Sequence, residues 1–228
     1  MGLLTYEDEG DLLFRMADHP DLAEAVPPID ILYQTGPILN QGQTPQCVGY
    51  SWGQWLVTEP TINIGGPKPT EIYCGAQAID PFPGDCTNPI TQGTAVRSGA
   101  KFLQGKGYIG SYLWSWNAAT VRDWLMAGKG PVVVGTVWYN SMSRPLSNGR
   151  LSVLPSSGSA GGHAYLVSGY LASTQQFRIT NSWGPRWAQR GHAWIRYADM
   201  QKLFDARGEA CTAVETLVIP VAITPPEL

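Results

Sequence analysis

Residues 40–51 read NQGQTPQCVGYS, a Gln- and Gly-rich turn followed by Cys47 at the head of a helical pattern. Apolar groups recur at Val48, Trp52, Trp55 and Leu56, three and four residues apart, which suits one face of a helix over 47–58. A cysteine placed there has three readings: a buried small hydrophobe, half of a disulfide, or a nucleophile. Cysteine is among the most buried residue types, so position alone favours the first. A helix N-terminus and a nearby imidazolium would favour the third, because both stabilise the thiolate.

The rest of the chain supplies the context. Helices are expected over 69–79, opened by Pro and Thr, over 93–104, and over 118–127 with Thr120 as its cap. Residues 1–25 are acidic and partly helical in pattern, and Pro27-Pro28 ends them. After Gly128-Lys129-Gly130 the pattern changes. Segments 131–139, 163–171, 176–180, 192–197 and 213–219 are rich in β-branched and aromatic residues bounded by turn formers, and read as strands. A mainly helical half, about 40–128, thus precedes a mostly antiparallel β half, about 129–222, and such a pair leaves a cleft between its lobes. The division expected is an acidic extension, 1–28, and one domain, 29–228.

Composition narrows the class. Apolar residues make up 43% and charged residues 14%, a balance that fits a loop-rich globular chain and excludes disorder. A net charge of −3 gives no electrostatic case for nucleic acid or an anionic membrane as partner. The N-terminus lacks a basic and apolar leader, so a cytoplasmic location is expected; release by lysis would leave the same sequence. Four cysteines, with no CxxC spacing, and three histidines give a zinc site poor support. If Cys47 is functional, Cys74 and Cys86 would close a short loop and are the favoured pair, with Cys211 left over.

A nucleophilic Cys47 needs a base, and that base needs an orienting acceptor. His163 starts a strand after Gly161-Gly162, and His192 starts another, so the two compete; His19 lies in the acidic extension. Asn181, in ITNSWGPRW (179–187), ends a strand, where its side-chain oxygen can accept from an imidazole. Taken singly, each has an ordinary role in a core or a turn.

In combination these blocks resemble the papain-like cysteine peptidases. Gln41 of Asn40-Gln41-Gly42 stands six residues before Cys47; Asn181-Ser182-Trp183-Gly184 is followed by Trp187 and by Gly191 before the strand HAWIRY; and Gly130-Pro131-Val132 precedes the histidine. The likeness covers roughly residues 30–220 and is close in three short blocks. His163 and Asn181 follow Cys47 by 116 and 134 residues, against roughly 130–150 for the papain group, which suggests a compact microbial or viral version.

The resemblance implies an α+β papain-like fold with a helical left lobe, an antiparallel β-barrel-like right lobe and an active-site cleft between them. It implies Cys47 as nucleophile, His163 as its base and acid, Asn181 as orienter, and Gln41 with the Cys47 N–H as oxyanion donors. It demotes His192. Trp183 would cover the Asn–His bond, and Gly161, Gly162, Gly135 and Gly93 would line the substrate side. No cofactor is implied, the partner is a peptide or protein substrate, and a monomer is expected. Two departures stand out: Thr44 occupies the place of a common disulfide cysteine, and Val48 that of a common aromatic. The family's long propeptide has no counterpart in residues 1–28. Two other readings compete: an amidase or endopeptidase of cell-wall peptides using the same chemistry, and a catalytically silent binding scaffold.

Overall fold

The computed structural model describes residues 1–22, 24–84, 86 and 92–214. The helix opened by Cys47 forms as α1, Cys47–Leu56. It is almost wholly buried, and its two tryptophans carry indole N–H groups that need partners inside the core. Trp52 donates to the Val96 carbonyl (3.0 Å) and Trp55 to the Pro131 carbonyl (2.9 Å), so α1 is pinned both to a helix and to the residue that leads into a strand of the second half.

Helix α2, Pro69–Gln77, starts on proline, and the Glu71 carboxylate accepts from the Lys68 N–H (2.9 Å). Helix α3 is Val96–Gly105 and α4 is Ala118–Met126. The cap of α4 is Asn117, not Thr120: the helix begins at Ala118, and the Asn117 side chain accepts from the Thr120 N–H (2.8 Å). Thr120 is thus the recipient of the cap, one turn too late to supply it. The acidic extension forms three short 3-10 turns, Glu9–Leu13, Met16–Asp18 and Pro20–Leu22. It is stitched to the domain, since Met16 is fully buried.

The strands are β1, Ile31–Leu32; β2, Tyr112–Ser115; β3, Val132–Tyr139; β4, Ser159–Leu171; β5, Gln176–Thr180; β6, His192–Arg196; and β7, Glu209–Ala213. All pairings between them are antiparallel, in the order β2-β7-β3-β4-β5-β6, with β1 added to β4. The sheet is an open path among the described residues. Helix α5, Tyr197–Asp205, follows β6 directly. Of the strand expected over 213–219, residues 215–219 lie outside the described ones.

Successive residues on a strand face opposite sides, and here both sides are covered. Val132, Val134, Tyr165 and Val167 join a core with α4 and α5, whereas Val133, Ala164 and Leu166 join a core with α1 and α3. Helix α4, inside the segment read as the helical lobe, therefore packs on the face away from α1. Cys74 and Cys86 are joined in a disulfide, and Cys47 and Cys211 are free and buried.

The α1–α2 contact depends on a missing side chain. A Cβ on Gly49 would overlap the Pro69 carbonyl and come within 2.8 Å of the Tyr73 Cβ. Replacing a helical glycine with alanine ordinarily stabilises by about 0.5–1 kcal/mol. At Gly49 the steric cost reverses the sign, and Gly49→Ala is expected to destabilise by about 1–3 kcal/mol. At Gly105, which ends α3 with open space around it, the same change should be neutral or stabilising. Urea midpoints of the two variants check the pair.

Candidate active site

The turn before α1 and the turn after β5 are zipped together. The Gln41 N–H donates to the Ser182 carbonyl (2.8 Å), the Gly184 N–H donates to the Leu39 carbonyl (3.0 Å), and Asn40 and Trp183 form an antiparallel bridge. The Gln41 side chain is fixed at both ends. Its Oε1 accepts from the Ser182 hydroxyl (2.6 Å) and its Nε2 donates to the Thr44 carbonyl (2.6 Å). An amide nitrogen carries two protons, so one remains to donate elsewhere.

Cys47 is the first residue of α1 and is completely buried. Burial pushes its thiol up; the backbone N–H groups of Ala164, Gly2 and Val48 around the sulfur work against that rise. Ala164 is the residue after His163, so β4 brings the histidine beside the cysteine. His163 pairs with Thr136 of β3 and is also fully buried. Its Nε2 lies 2.9 Å from Asn181 Oδ1, which also accepts from the Ser182 N–H (2.8 Å). With an oxygen as partner, Nε2 carries the proton and Nδ1 keeps its lone pair. That Nδ1 is buried with no hydrogen-bond partner among the described residues, the Cys47 thiol included. Burial holds the imidazole down at about 4, against the raising effect of the Asn181 bond. Burial thus favours the neutral form of both side chains.

Aromatic rings shield the Asn–His bond. Trp183 lies 5.1 Å from the His163 ring and Trp138 lies 4.9 Å away, edge-on. Trp187 meets Trp183 edge-on at 5.5 Å. Trp138 and Ser182 also belong to this cluster and have no assignment in the sequence reading. Ser182 sat unremarked inside the Asn-Ser-Trp-Gly block, and Trp138 shares a strand face with Thr136, the partner of His163, so the period of two was its signal. His192 is elsewhere: on β6, with Nδ1 3.0 Å from the Thr180 hydroxyl and its ring, too, held down at about 4 by burial and by Arg178.

The four glycines expected beside the site come together, and the chain's own residues 1–4 lie against them. The Leu3 N–H donates to the Gly162 carbonyl (3.1 Å), the Leu4 N–H to the Thr94 carbonyl (3.0 Å), and the Thr94 N–H to the Gly2 carbonyl (2.9 Å). Leu3 pairs with Thr94 in parallel sense. A Cβ on Gly93 would overlap the Gly2 carbonyl, one on Gly162 would sit 2.6 Å from the Leu3 oxygen, one on Gly135 2.9 Å from Leu3 Cδ2, and one on Gly161 3.1 Å from Met1 Cβ. The groove is thus cut to the width of an extended backbone with a Leu side chain inserted over Gly135 and Val96. Among the described residues no group of three His, Cys, Asp or Glu side chains is placed to hold a metal ion.

No family model matches the sequence, and no curated protein matches it by sequence. Solved structures do. Xylellain, a cysteine protease from Xylella fastidiosa, is 20% identical with a TM-score of 0.69, covering 95% of this chain and 96% of that one. Digestive procathepsin L 3 of Tenebrio molitor is 15% identical (TM-score 0.60; 85% and 71% covered), and bromelain from Ananas comosus 14% (0.59; 79% and 94%). The fold is the papain-like one.

A histidine kept neutral by burial makes stability depend on pH. Between pH about 6.5 and about 4 the unfolded chain binds a proton at His163 that the folded chain does not. Stability should therefore fall as the pH is lowered through that window. The urea midpoint should drop from pH 7 to pH 4.5, and in His163→Gln it should drop measurably less.

Proposed function

We propose that this chain is a cysteine peptidase that hydrolyses internal peptide bonds through a thioester. One observation carries the reading beyond thiol chemistry in general. The groove leading to Cys47 already binds an extended peptide through backbone hydrogen bonds, with a pocket for one side chain. Backbone pairing gives affinity for any sequence, and the side-chain pocket gives preference. The segment held there happens to be the chain's own.

The steps follow from the side chains. With the groove vacated, water reaches Cys47 and His163, and the burial that keeps both neutral is relieved. The Cys47 proton passes to His163 Nδ1, and the thiolate attacks the substrate carbonyl carbon. Negative charge gathers on the carbonyl oxygen, where the free Nε2 proton of Gln41 and the Cys47 N–H at the head of α1 donate to it. The C–N bond breaks as the imidazolium gives its proton to the leaving amine. Water, deprotonated by His163, then opens the thioester and releases the acid. Asn181 holds the imidazole in the tautomer with Nδ1 towards the sulfur, and Trp183 and Trp138 keep water from the Asn–His bond. A bulkier residue than Gly135 would fill the pocket that Leu3 occupies. Substrates with a Leu-sized apolar side chain at that position are therefore expected to be preferred.

The test is hydrolysis of such a peptide by reduced protein. Cys47→Ala should abolish it, and cleavage by that variant would overturn the proposal. Gln41→Ala should lower kcat/KM by about a hundredfold or more, the cost of one oxyanion donor being about 3 kcal/mol. Its effect should appear in kcat, because the donor acts on charge that develops only in the transition state.

A further inference from the structure

All 18 Asp and Glu residues of the sequence lie outside positions 124–198, a stretch that carries one lysine and six arginines. A solvated surface ordinarily intersperses the two signs, so cations without an acid among them set the β half apart. Two of them are satisfied inside the fold: Lys129 pairs with Asp21, and Arg178 donates to the Tyr33 and Ser168 carbonyls. Arg144 and Arg186 are not. Both are exposed, and among the described residues their guanidiniums meet no carboxylate, whereas those of Arg15, Arg97 and Arg122 each do.

These two arginines line one cavity of about 370 Å³. Arg144 and Leu146 come from the loop after β3, and Arg186, Trp187 and Gln189 from the turn after β5. The two segments are already tied together. The Trp187 indole donates to the Ser143 carbonyl (3.4 Å), Gln189 Nε2 to the Asn148 carbonyl (3.3 Å), and the Trp194 N–H to the Gly149 carbonyl (3.0 Å). Ala188 and Arg190 hold φ values of 48° and 55°, which residues with a side chain seldom adopt. Their surroundings, and not local preference, therefore set this turn. The walls are built before any ligand arrives, and the cavity is open with residues 1–4 in place.

Its location relates it to the chemistry. Trp187 meets Trp183 at 5.5 Å, and Trp183 lies 5.1 Å from the His163 ring. An extended chain rising about 3.3 Å per residue crosses that distance in about three residues. His163 hands its proton to the leaving amine. With the acyl half of the substrate in the glycine-lined groove, the amine half runs across Trp183 towards Trp187.

We propose that Arg144 and Arg186 form a carboxylate subsite for the half of the substrate that follows the cleaved bond. This rests on the reading of Cys47 and its groove as a peptidase site. The subsite selects a carboxylate two or three residues beyond that bond, carried either by an Asp or Glu side chain or by the C-terminus of the peptide. The planar guanidinium presents its donors in the geometry that a carboxylate accepts, and Trp187 and Leu146 offer apolar surface to the methylenes of a glutamate. Backbone pairing in the glycine groove carries no preference for charge, so the arginines supply it.

The test uses the full chain and internally quenched peptides with Leu for the Gly135 pocket, amidated at the C-terminus, and Glu, Gln or Lys at the second and third residues after the cleaved bond. The kcat/KM for Glu should exceed that for Gln by about fivefold or more, fivefold being roughly what one exposed charge pair supplies at its best. The ratio should shrink between 0.1 and 1 M salt, as the screening length falls from about 10 to about 3 Å. Arg144→Glu/Arg186→Glu should reverse the order and favour Lys, a gain that misfolding cannot produce. A Gln peptide with a free C-terminal carboxylate at the second or third residue separates the two sources: preference for it over the amidated Glu peptide assigns the subsite to a chain end, and the opposite order to an acidic side chain. Equal rates for Glu, Gln and the free acid, or a preference for Glu that survives charge reversal, overturn the subsite. If no peptide is cleaved, the peptidase reading fails, and the indole N–H resonance of Trp187 decides the subsite alone. Ala-Glu-Glu-amide should shift it saturably in the unaltered chain and not in the reversed one; no shift overturns the proposal.

Discussion

The hydrogen bond from Ser182 to Gln41 is the contact on which the site depends. It is short, buried and made between residues 141 apart in sequence, one before the first large helix and one after the fifth strand. With the backbone pair between the same two residues, it sets the helical half against the sheet. Cys47 then starts its helix against β4, where the N–H of Ala164, the residue after His163, faces its sulfur. Asn181 and Ser182 are adjacent, so one turn of chain places both the acceptor for His163 and the donor for Gln41. A shift of that turn would move His163 and Gln41 together.

Burial governs the chemistry of this arrangement. Cys47, His163 and Asn181 are all inaccessible while residues 1–4 lie in the groove. In a low-dielectric site a thiolate and an imidazolium are each disfavoured unless they meet, and here no hydrogen bond joins them among the described residues. With residues 1–4 in the groove, burial favours the neutral form of both side chains. The hydrogen bonds that hold His163, Asn181 and Gln41 run among these residues, Ser182 and Thr44, and not through residues 1–4.

Much of the frame was legible in the sequence because periodicity and turn chemistry report local physics. Helices α1, α2 and α4 fall within a few residues of their expected bounds, and four strands of the β half are where runs of β-branched and aromatic residues between turn formers placed them. The failures are physical too. Thr120 looked like a cap because hydroxyl side chains cap helices, but Asn117 lay one turn earlier with the extended backbone that a cap requires. Helix α5 was overlooked since it follows β6 without a break, although Met200, Leu203 and Phe204 carry its buried face. Strand β2 is only four residues long and has its partner nearly a hundred residues away, at Ala210–Ala213. The positions of Cys47, His163, Asn181 and Gln41 were readable for another reason: turns with demanding geometry leave short, dense motifs.

The groove glycines show where such reading stops. Gly93, Gly135, Gly161 and Gly162 are far apart in sequence, and each passes for an ordinary loop or strand glycine. Their common property is external to them: another backbone or side chain stands where a Cβ would be. Composition cannot encode that, because the occupant is the chain's first four residues, which carry no periodic signal. The acidic residues behind them looked like a solvated extension for the same reason. A carboxylate on a surface and one facing a buried arginine are identical in sequence, and only the three-dimensional neighbour, Arg97 in the first turn of α3, distinguishes them. What appears as a charge run in one dimension is, in three, the counter-charge of a single buried cation.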